Sequence, residues 1–262
     1  MKLQDFKRKK ARNEKISIIT CYDYPSARIV SESNLDCVLV GDSVAMVVHG
    51  YEHTLMATID MMVMHTSAVA RGLTHQFLIS DMPFLCHRQS QADTIDNVRR
   101  LLAAGAQAVK IEGGDDDTCR TIEYLVNSGV PVMGHIGLTP QSVLQLGGYN
   151  VQGKEQAQAL QLEIQAKKLA SAGCFALVLE CIPQALAATI TNSIDIPTIG
   201  IGAGSDTDGQ VLVWHDLLGL HTDVNPRFVK RFAHGKEVLF AGIQAYAADV
   251  QQVAFPALEH TF

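Results

Sequence analysis

The sequence predicts an α/β protein, a (β/α)8 TIM barrel with helices appended at its C-terminal end. Eight short apolar runs alternate with amphipathic stretches along the chain. The length of 262 residues matches the roughly 250 typical of such barrels. A hydrophobic content of 47% supplies a large core and argues against disorder. Because alternation alone does not separate a closed barrel from an open, doubly wound sheet, the open sheet is the alternative.

Each predicted strand is a short apolar run, which is typical of parallel strands covered on both faces. The first four runs lie at 16–21, 37–41, 77–81 and 108–112. The next four lie at 131–135, 176–180, 197–201 and 210–214. Helices are predicted at 58–71, 90–104, 115–128, 155–172 and 183–193. Glycines close several helical stretches and are predicted to be C-caps: Gly72, Gly105, Gly129 and Gly173.

Composition restricts the classes of function. The formal net charge of −6, with one short basic cluster at 7–12, disfavours nucleic-acid binding. The six cysteines form no C-x-x-C pair, so we expect reduced thiols in a cytoplasmic protein. No signal-peptide pattern or long apolar stretch is present, which disfavours secretion and membrane insertion. We predict one barrel domain over 1–262, with 225–262 as a helical extension.

Polar side chains collect where the apolar runs end. Five consecutive predicted strands finish in or beside such a residue, namely Asp42, Asp81, Glu112, His135 and Glu180. The carboxyl ends of parallel strands meet on one face of a barrel, where active sites are built. Taken singly, each residue has an ordinary structural explanation, such as a helix cap or a core histidine. Together they predict an active site.

Three of these residues predict a metal site. Asp42, Asp81 and Glu112 would repel one another at one end of a barrel unless a cation intervened. Ligation by carboxylate oxygens alone suits Mg²⁺, which keeps other positions for water or substrate oxygens. The sequence therefore predicts a Mg²⁺ site held by these three carboxylates.

Lys110 and Glu112 are two residues apart on one strand, so both point to the same face. Since the alternate residues Val109 and Ile111 suit the helix-covered side, the face of Lys110 and Glu112 is the barrel interior. A buried lysine needs an anionic partner, so Lys110 either pairs with Glu112 or binds an anionic substrate. Across the barrel, Glu180 ends an apolar run and is the candidate general base. A metal facing a carboxylate base predicts metal-assisted enolisation of a carbonyl substrate.

At these same residues the chain resembles the ketopantoate hydroxymethyltransferase family. The resemblance extends from ITCYDYP at 19–25 to LEHTF at 258–262 and therefore covers nearly the whole chain. The intervening motifs, in order, are VLVGDS at 38–43, DMPF at 81–84, VKIEGG at 109–114, GHIGLTPQS at 134–142, GGYNVQG at 147–153, LVLECIP at 177–183, IGIGAG at 199–204 and DGQVLVWHD at 208–216.

The resemblance implies a barrel enzyme that transfers a one-carbon unit from 5,10-methylenetetrahydrofolate to 3-methyl-2-oxobutanoate. The product would be 2-dehydropantoate, at the start of pantothenate synthesis. One Mg²⁺ per subunit would be held by Asp42, Asp81 and Glu112, with Ser43 and Lys110 assisting substrate binding. Glu180 would remove the C3 proton. The resemblance assigns no role to His135, and it implies a homo-oligomer, typically a decamer.

Two stretches depart from the family pattern, and two other functions are alternatives to the one that the resemblance implies. Val44–Ala45 stands where the family usually has Leu-Gly, and LCHR at 85–88 stands where a Ser-Tyr pair is usual. The first alternative is a Mg²⁺-dependent 2-oxo-acid carbon–carbon lyase or mutase of the phosphoenolpyruvate mutase and isocitrate lyase type. Such a lyase is expected to carry a KKCGH-like loop, which the chain lacks. The second is a non-catalytic barrel, which predicts damaged carboxylate positions.

Overall fold

Eight parallel strands pair in chain order, and the last pairs with the first, so the sheet closes into a barrel. The computed structural model describes residues 1–220 and 226–262. The strands are β1 Ile16–Thr20, β2 Cys37–Val40, β3 Phe77–Asp81, β4 Ala108–Glu112, β5 Val132–Gly137, β6 Ala176–Glu180, β7 Thr198–Ile201 and β8 Gly209–Leu212. The predicted barrel is confirmed, and the open sheet is wrong.

Helices connect the strands. They are α1 Leu3–Ala11, α2 Tyr24–Ser31, α3 Val44–Val47, α4 Ile59–Gly72, α5 Gln91–Ala103, α6 Asp116–Asn127, α7 Val143–Leu146, α8 Gln156–Ser171 and α9 Gln184–Ser193. Side-chain caps mark several starts. Thr58 accepts from the backbone N–H of Met61, and Ser90 accepts from that of Asp93. The five helices predicted from the sequence are α4, α5, α6, α8 and α9. Their ends agree with the prediction to within a residue or two.

Gly72 is not the helix cap that the sequence predicts. It is the last residue of α4, and Leu73 caps the helix. A Cβ at Gly72 would lie 2.6 Å from the Cβ of Ala27 on α2. The glycine therefore serves the close approach of two helices, a tertiary requirement that the local pattern does not show. The other three glycines have positive φ and lie one residue after the C-cap of their helices, a position where left-handed glycines commonly end a helix.

Two strand ends differ from prediction by two residues. β5 continues to Gly137, so His135 lies inside the strand, and β8 ends at Leu212 because Trp214 begins a helix. Alternate strand residues fill the barrel interior, among them Ile79, Ala108 and Met133. This alternation also places Lys110 and Glu112 on the interior face, as predicted.

Phe6 of α1 lies within the same interior core. Its ring meets those of Phe77 and Phe175 edge to face, with centroid separations of 5.4 and 4.9 Å. Phe77 and Phe175 stand at or before the amino ends of β3 and β6, so this aromatic cluster fills the amino end of the barrel. Polar side chains can therefore collect at the carboxyl end of the barrel.

The chain divides into two compact units, Met1–Leu212 and Val213–Phe262. The second contains α10 Trp214–Leu217 and α11 Gly235–Gln251. The predicted start of the helical extension, residue 225, lies outside the described residues. No described side chain of α11 is buried. In the described part of the chain, all helices are too short or too polar to cross a membrane.

Candidate active site

The structure brings the predicted site residues together at the carboxyl ends of the strands. Asp81, Glu112 and Glu180 end β3, β4 and β6, and Asp42 lies two residues beyond β2. His135 pairs with Glu112 in the β4–β5 register. We call the following residues the charged cluster: Asp42, Asp81, Lys110, Glu112, His135 and Glu180.

Lys110 lies among acidic groups. Its Nζ is 3.1 Å from Asp81 Oδ1 and 3.4 Å from Glu112 Oε1, and the residue is 4% exposed. Burial opposes its charge, but Asp81 and Glu112 raise the pKa of Lys110 above its ordinary value. The ammonium group therefore stays charged. It has carboxylate partners, as the sequence predicts, and its Nζ also lies 3.1 Å from His135 Nδ1.

His135 bridges two carboxylates from different strands. Its Nδ1 is 3.2 Å from Glu112 Oε1, and its Nε2 is 3.2 Å from Glu180 Oε2. Burial and Lys110 lower the pKa of His135, but the two glutamates outweigh them and raise it to about 9. Burial raises the pKa of Glu112, but Lys110 and His135 lower it to about 2. The imidazolium thus links the predicted metal side of the site to the predicted base.

Asp42 has the least favourable environment for a carboxylate. Burial, followed by the charges of Asp81 and Glu112, raises its pKa well above the ordinary value. Its Oδ2 accepts a hydrogen bond of 2.8 Å from Gln141 Nε2. Its backbone N–H donates to Asp81 Oδ2 at 3.0 Å. Among the described residues, Asp42 therefore has no ion-pair partner of its own.

Two further residues hold the site and were not predicted from the sequence. Gln141 follows β5, and its backbone N–H donates to Glu112 Oε2 at 3.1 Å. Tyr22 is buried beyond β1, and its hydroxyl is 2.8 Å from the Oγ of Ser43. Burial raises the pKa of Tyr22 above its ordinary value, so the phenol stays neutral. Gln141 lies in the motif GHIGLTPQS and Tyr22 in the motif ITCYDYP. These family motifs are the sequence signal that could have identified the two residues.

The donor chemistry of the charged cluster fits a divalent cation. Asp81 Oδ1 is buried without a hydrogen bond from any described residue, although Lys110 Nζ lies within ion-pair distance. The four carboxyl groups outnumber the two cationic side chains, so an added cation would relieve their repulsion. Within residues 1–220 and 226–262, no three acidic, His or Cys side chains are already gathered as a metal site. Lys110, His135 and Gln141 separate the carboxylates.

A barrel with buried carboxylates and a lysine at its carboxyl end defines an α/β-barrel enzyme. The family model for ketopantoate hydroxymethyltransferase matches residues 1–258. The chain is 65% identical over 262 residues to 3-methyl-2-oxobutanoate hydroxymethyltransferase of Legionella pneumophila, covering 100% of both chains. It is 51% identical to the Coxiella burnetii enzyme of that name, covering 99% of this chain and 97% of that enzyme.

Solved structures with the same fold are more distant in sequence. A phosphonopyruvate hydrolase superposes with a TM-score of 0.64 at 10% identity, covering 99% of this chain and 92% of that one. A 2,3-dimethylmalate lyase of the phosphoenolpyruvate mutase and isocitrate lyase superfamily gives 0.60 at 14% identity, covering 98% and 89%. These likenesses show a shared barrel.

The chain belongs to the ketopantoate hydroxymethyltransferase family. The predicted family and the predicted class, a hydroxymethyltransferase of the pantothenate pathway, are thereby confirmed.

Proposed function

We propose that this chain transfers the one-carbon unit of 5,10-methylenetetrahydrofolate to C3 of 3-methyl-2-oxobutanoate, giving 2-dehydropantoate. The observation that carries the proposal is the bridge formed by His135. It joins Glu112, on the predicted metal side, to Glu180, the predicted base, through contacts of 3.2 Å on each side. This arrangement provides a cationic pocket and a carboxylate base at one face of the barrel. The family relationship supplies the identity of the substrates.

Asp42, Asp81 and Glu112 are the residues that would hold one Mg²⁺ per subunit. The raised pKa of Asp42 supports this assignment, because it reflects burial beside the carboxylates of Asp81 and Glu112. When bound, Mg²⁺ would act as a Lewis acid that polarises the keto group. Through the cation, Asp42 and Asp81 would take part in substrate binding.

Lys110 and Ser43 are the direct substrate-binding candidates. Lys110 is a permanent positive charge within the site and would attract the carboxylate of the keto acid. Ser43 directly precedes α3, and the hydroxyl of Tyr22 at 2.8 Å restricts its side chain. A hydroxyl held in this way can orient the keto acid, because its rotamer is set before the substrate binds.

Glu180 is the proposed base for the C3 proton. Its side chain is 15% exposed, so it is reachable from the barrel opening while the rest of the cluster is nearly covered. His135 contacts its Oε2 and would keep the carboxylate oriented. In the transfer, C3 bonds to the methylene carbon and water supplies the new hydroxyl oxygen. Both methylene carbon–nitrogen bonds break. The two freed nitrogens of tetrahydrofolate take up the C3 proton and one proton of the water.

We propose further that the enzyme is a cytoplasmic homo-oligomer, a decamer by family resemblance, and that residues 225–262 form a helical extension of one barrel domain. The exposed apolar side chains of α11 support subunit contacts. They include Val238 at 70%, Phe240 at 60%, Ile243 at 66% and Tyr246 at 60% exposure. A helix with this surface gains stability when a second subunit covers it.

Proton exchange at C3 of 3-methyl-2-oxobutanoate in D₂O, followed by NMR, tests the proposal. The exchange should require both the protein and Mg²⁺, and EDTA should abolish it. Addition of methylenetetrahydrofolate should then give 2-dehydropantoate. If neither exchange nor product appears with all components present, the chain is an inactive barrel and the proposal is wrong.

A further inference from the structure

A cavity of about 530 Å³ opens beside the charged cluster. Its wall includes Glu112 and Gln141, which also belong to or contact that cluster, so the two spaces are adjacent. The loop after β4 forms one side, where a Cβ at Gly114 would lie 2.7 Å from the Cβ of Gln165 on α8. We call this space the glutamine cavity after its amide side chains, Gln141, Gln145, Gln152, Gln158, Gln161 and Gln165.

His87 in this wall lacks hydrogen-bond partners. The residue is 5% exposed, and both ring nitrogens are buried without a partner among the described residues. Burial, assisted by the charge of Arg88, lowers the pKa of His87 to about 4, so the ring is neutral at pH 7. A neutral imidazole offers one donor and one acceptor. Leaving both unpaired in the interior is unfavourable, which indicates that a ligand completes them.

The charges around the cavity disfavour an anionic ligand. Arg88 is engaged, because its guanidinium donates to Asp115 and, at 2.8 Å, to Thr118 Oγ1. Glu112 and Asp115 add two carboxylates to the wall. Phosphate or carboxylate groups would therefore meet net negative charge, since the described part of the wall has no cationic side chain without an acidic partner. A neutral polar ligand fits this environment.

The glutamines favour a ligand with several donors and acceptors along its edge. Gln158, Gln161 and Gln165 recur at three- and four-residue spacing, so they share one face of α8. Within the described residues, the side chains of Gln145, Gln161 and Gln165 make no hydrogen bond. Each carboxamide can donate and accept at the same time. The wall thus supplies both hydrogen-bond donors and hydrogen-bond acceptors.

We propose that the glutamine cavity binds the fused heterocyclic head of the one-carbon donor, with His87 hydrogen-bonding its polar edge. This inference rests on the proposed function, which names the folate. The head is flat and uncharged, and its edge carries amino, ring N–H and oxo groups that match imidazole and carboxamide partners. Because Glu112 borders both spaces, a head bound here lies next to the site where the keto acid is proposed to bind.

The test measures binding of tetrahydrofolate, the product form of the donor, by calorimetry. His87→Phe keeps the ring and removes both nitrogens, so the affinity should fall by about tenfold or more. His87→Gln keeps one donor and one acceptor and should retain most of the affinity. In the wild type, 6-methyltetrahydropterin, which is the head without the tail, should compete with tetrahydrofolate. Competition without the tail would show that the head itself is bound, and the loss of affinity in His87→Phe would assign it to this cavity.

Two further variants keep the test sound if His87→Phe does not fold. Gln161→Leu with Gln165→Leu changes side chains on the accessible face of α8 and should weaken tetrahydrofolate binding several-fold. His75→Phe is the matched control. It makes the same substitution in a separate cavity of about 450 Å³, before the amino end of β3, and should leave the affinity unchanged.

Mg²⁺-dependent binding of 3-methyl-2-oxobutanoate is measured on the same samples. Wild-type tetrahydrofolate affinity in folded His87→Phe, or in the double glutamine variant, overturns the cavity assignment alone. Failure of the wild type to bind the keto acid or to form product counts against the proposed function instead. Weaker tetrahydrofolate binding together with normal keto acid binding in the cavity variants supports the inference.

Discussion

Gln141 Nε2 donates a hydrogen bond of 2.8 Å to Asp42 Oδ2, although the two residues are 99 positions apart. The same nitrogen donates to the carbonyl oxygen of Met82 at 2.9 Å. The backbone N–H of Gln141 donates to Glu112 Oε2. One neutral residue after β5 therefore positions two acidic side chains from two other strands.

Replacing Gln141 by Leu should destabilise the protein. The change leaves Asp42 Oδ2 and the Met82 carbonyl without their donor in the interior, where an unsatisfied polar group costs about 1–3 kcal/mol. Urea unfolding at neutral pH measures the free energy of unfolding. Gln145→Leu is the matched control, since Gln145 is exposed and makes no side-chain hydrogen bond among the described residues. Equal stability of the two variants would contradict this role.

Replacing Asp42 by Ala should abolish Mg²⁺-dependent binding of 3-methyl-2-oxobutanoate. The variant removes one of the three carboxylates proposed to hold the cation. Calorimetric titration with and without EDTA measures the effect. Asp195→Ala, at an exposed carboxylate after α9, is the control and should bind like the wild type. An unchanged keto acid affinity in Asp42→Ala would remove Asp42 from the metal assignment.

Replacing Glu180 by Gln should slow C3 proton exchange by roughly 10²–10⁴-fold, because the amide cannot act as a base. Binding of Mg²⁺ and the keto acid should persist, since Asp42, Asp81 and Glu112 are intact. NMR in D₂O gives the exchange rate, and calorimetry gives the affinity. Glu123→Gln on the exposed side of α6 provides the control. Exchange at the wild-type rate would show that another group takes the proton.

His87 should make stability depend on pH. Its pKa is about 4 in the folded protein and 6.5 ordinarily, so between these values the unfolded chain binds more protons. The part of the free energy of unfolding that depends on His87 is fully present above pH 6.5. It is lost as the pH falls towards 4, and the total loss is roughly 3 kcal/mol. Urea unfolding at several pH values should show a smaller loss in His87→Phe than in the wild type. Parallel curves for the two proteins would be inconsistent with a buried neutral His87.

The barrel and the positions of the predicted site residues were accessible from sequence because they depend on local periodicity. Alternation along β4 places Lys110 and Glu112 on one face, and parallel pairing puts the strand ends together. Gly72 is a residue whose role the local sequence pattern does not predict. It looks like a cap in the sequence, but the close approach of Ala27 explains the residue.

The sequence by itself determined the fold class, the family and the carboxylates at the strand ends, because these follow from periodicity and motif order. Tertiary structure decided how their charges are balanced. Residues distant in sequence supply that balance: His135 links Glu112 to Glu180, and Gln141 supports Asp42. Ion pairs and hydrogen bonds between separate strand ends leave no periodic signal in the chain, so only the folded barrel shows them.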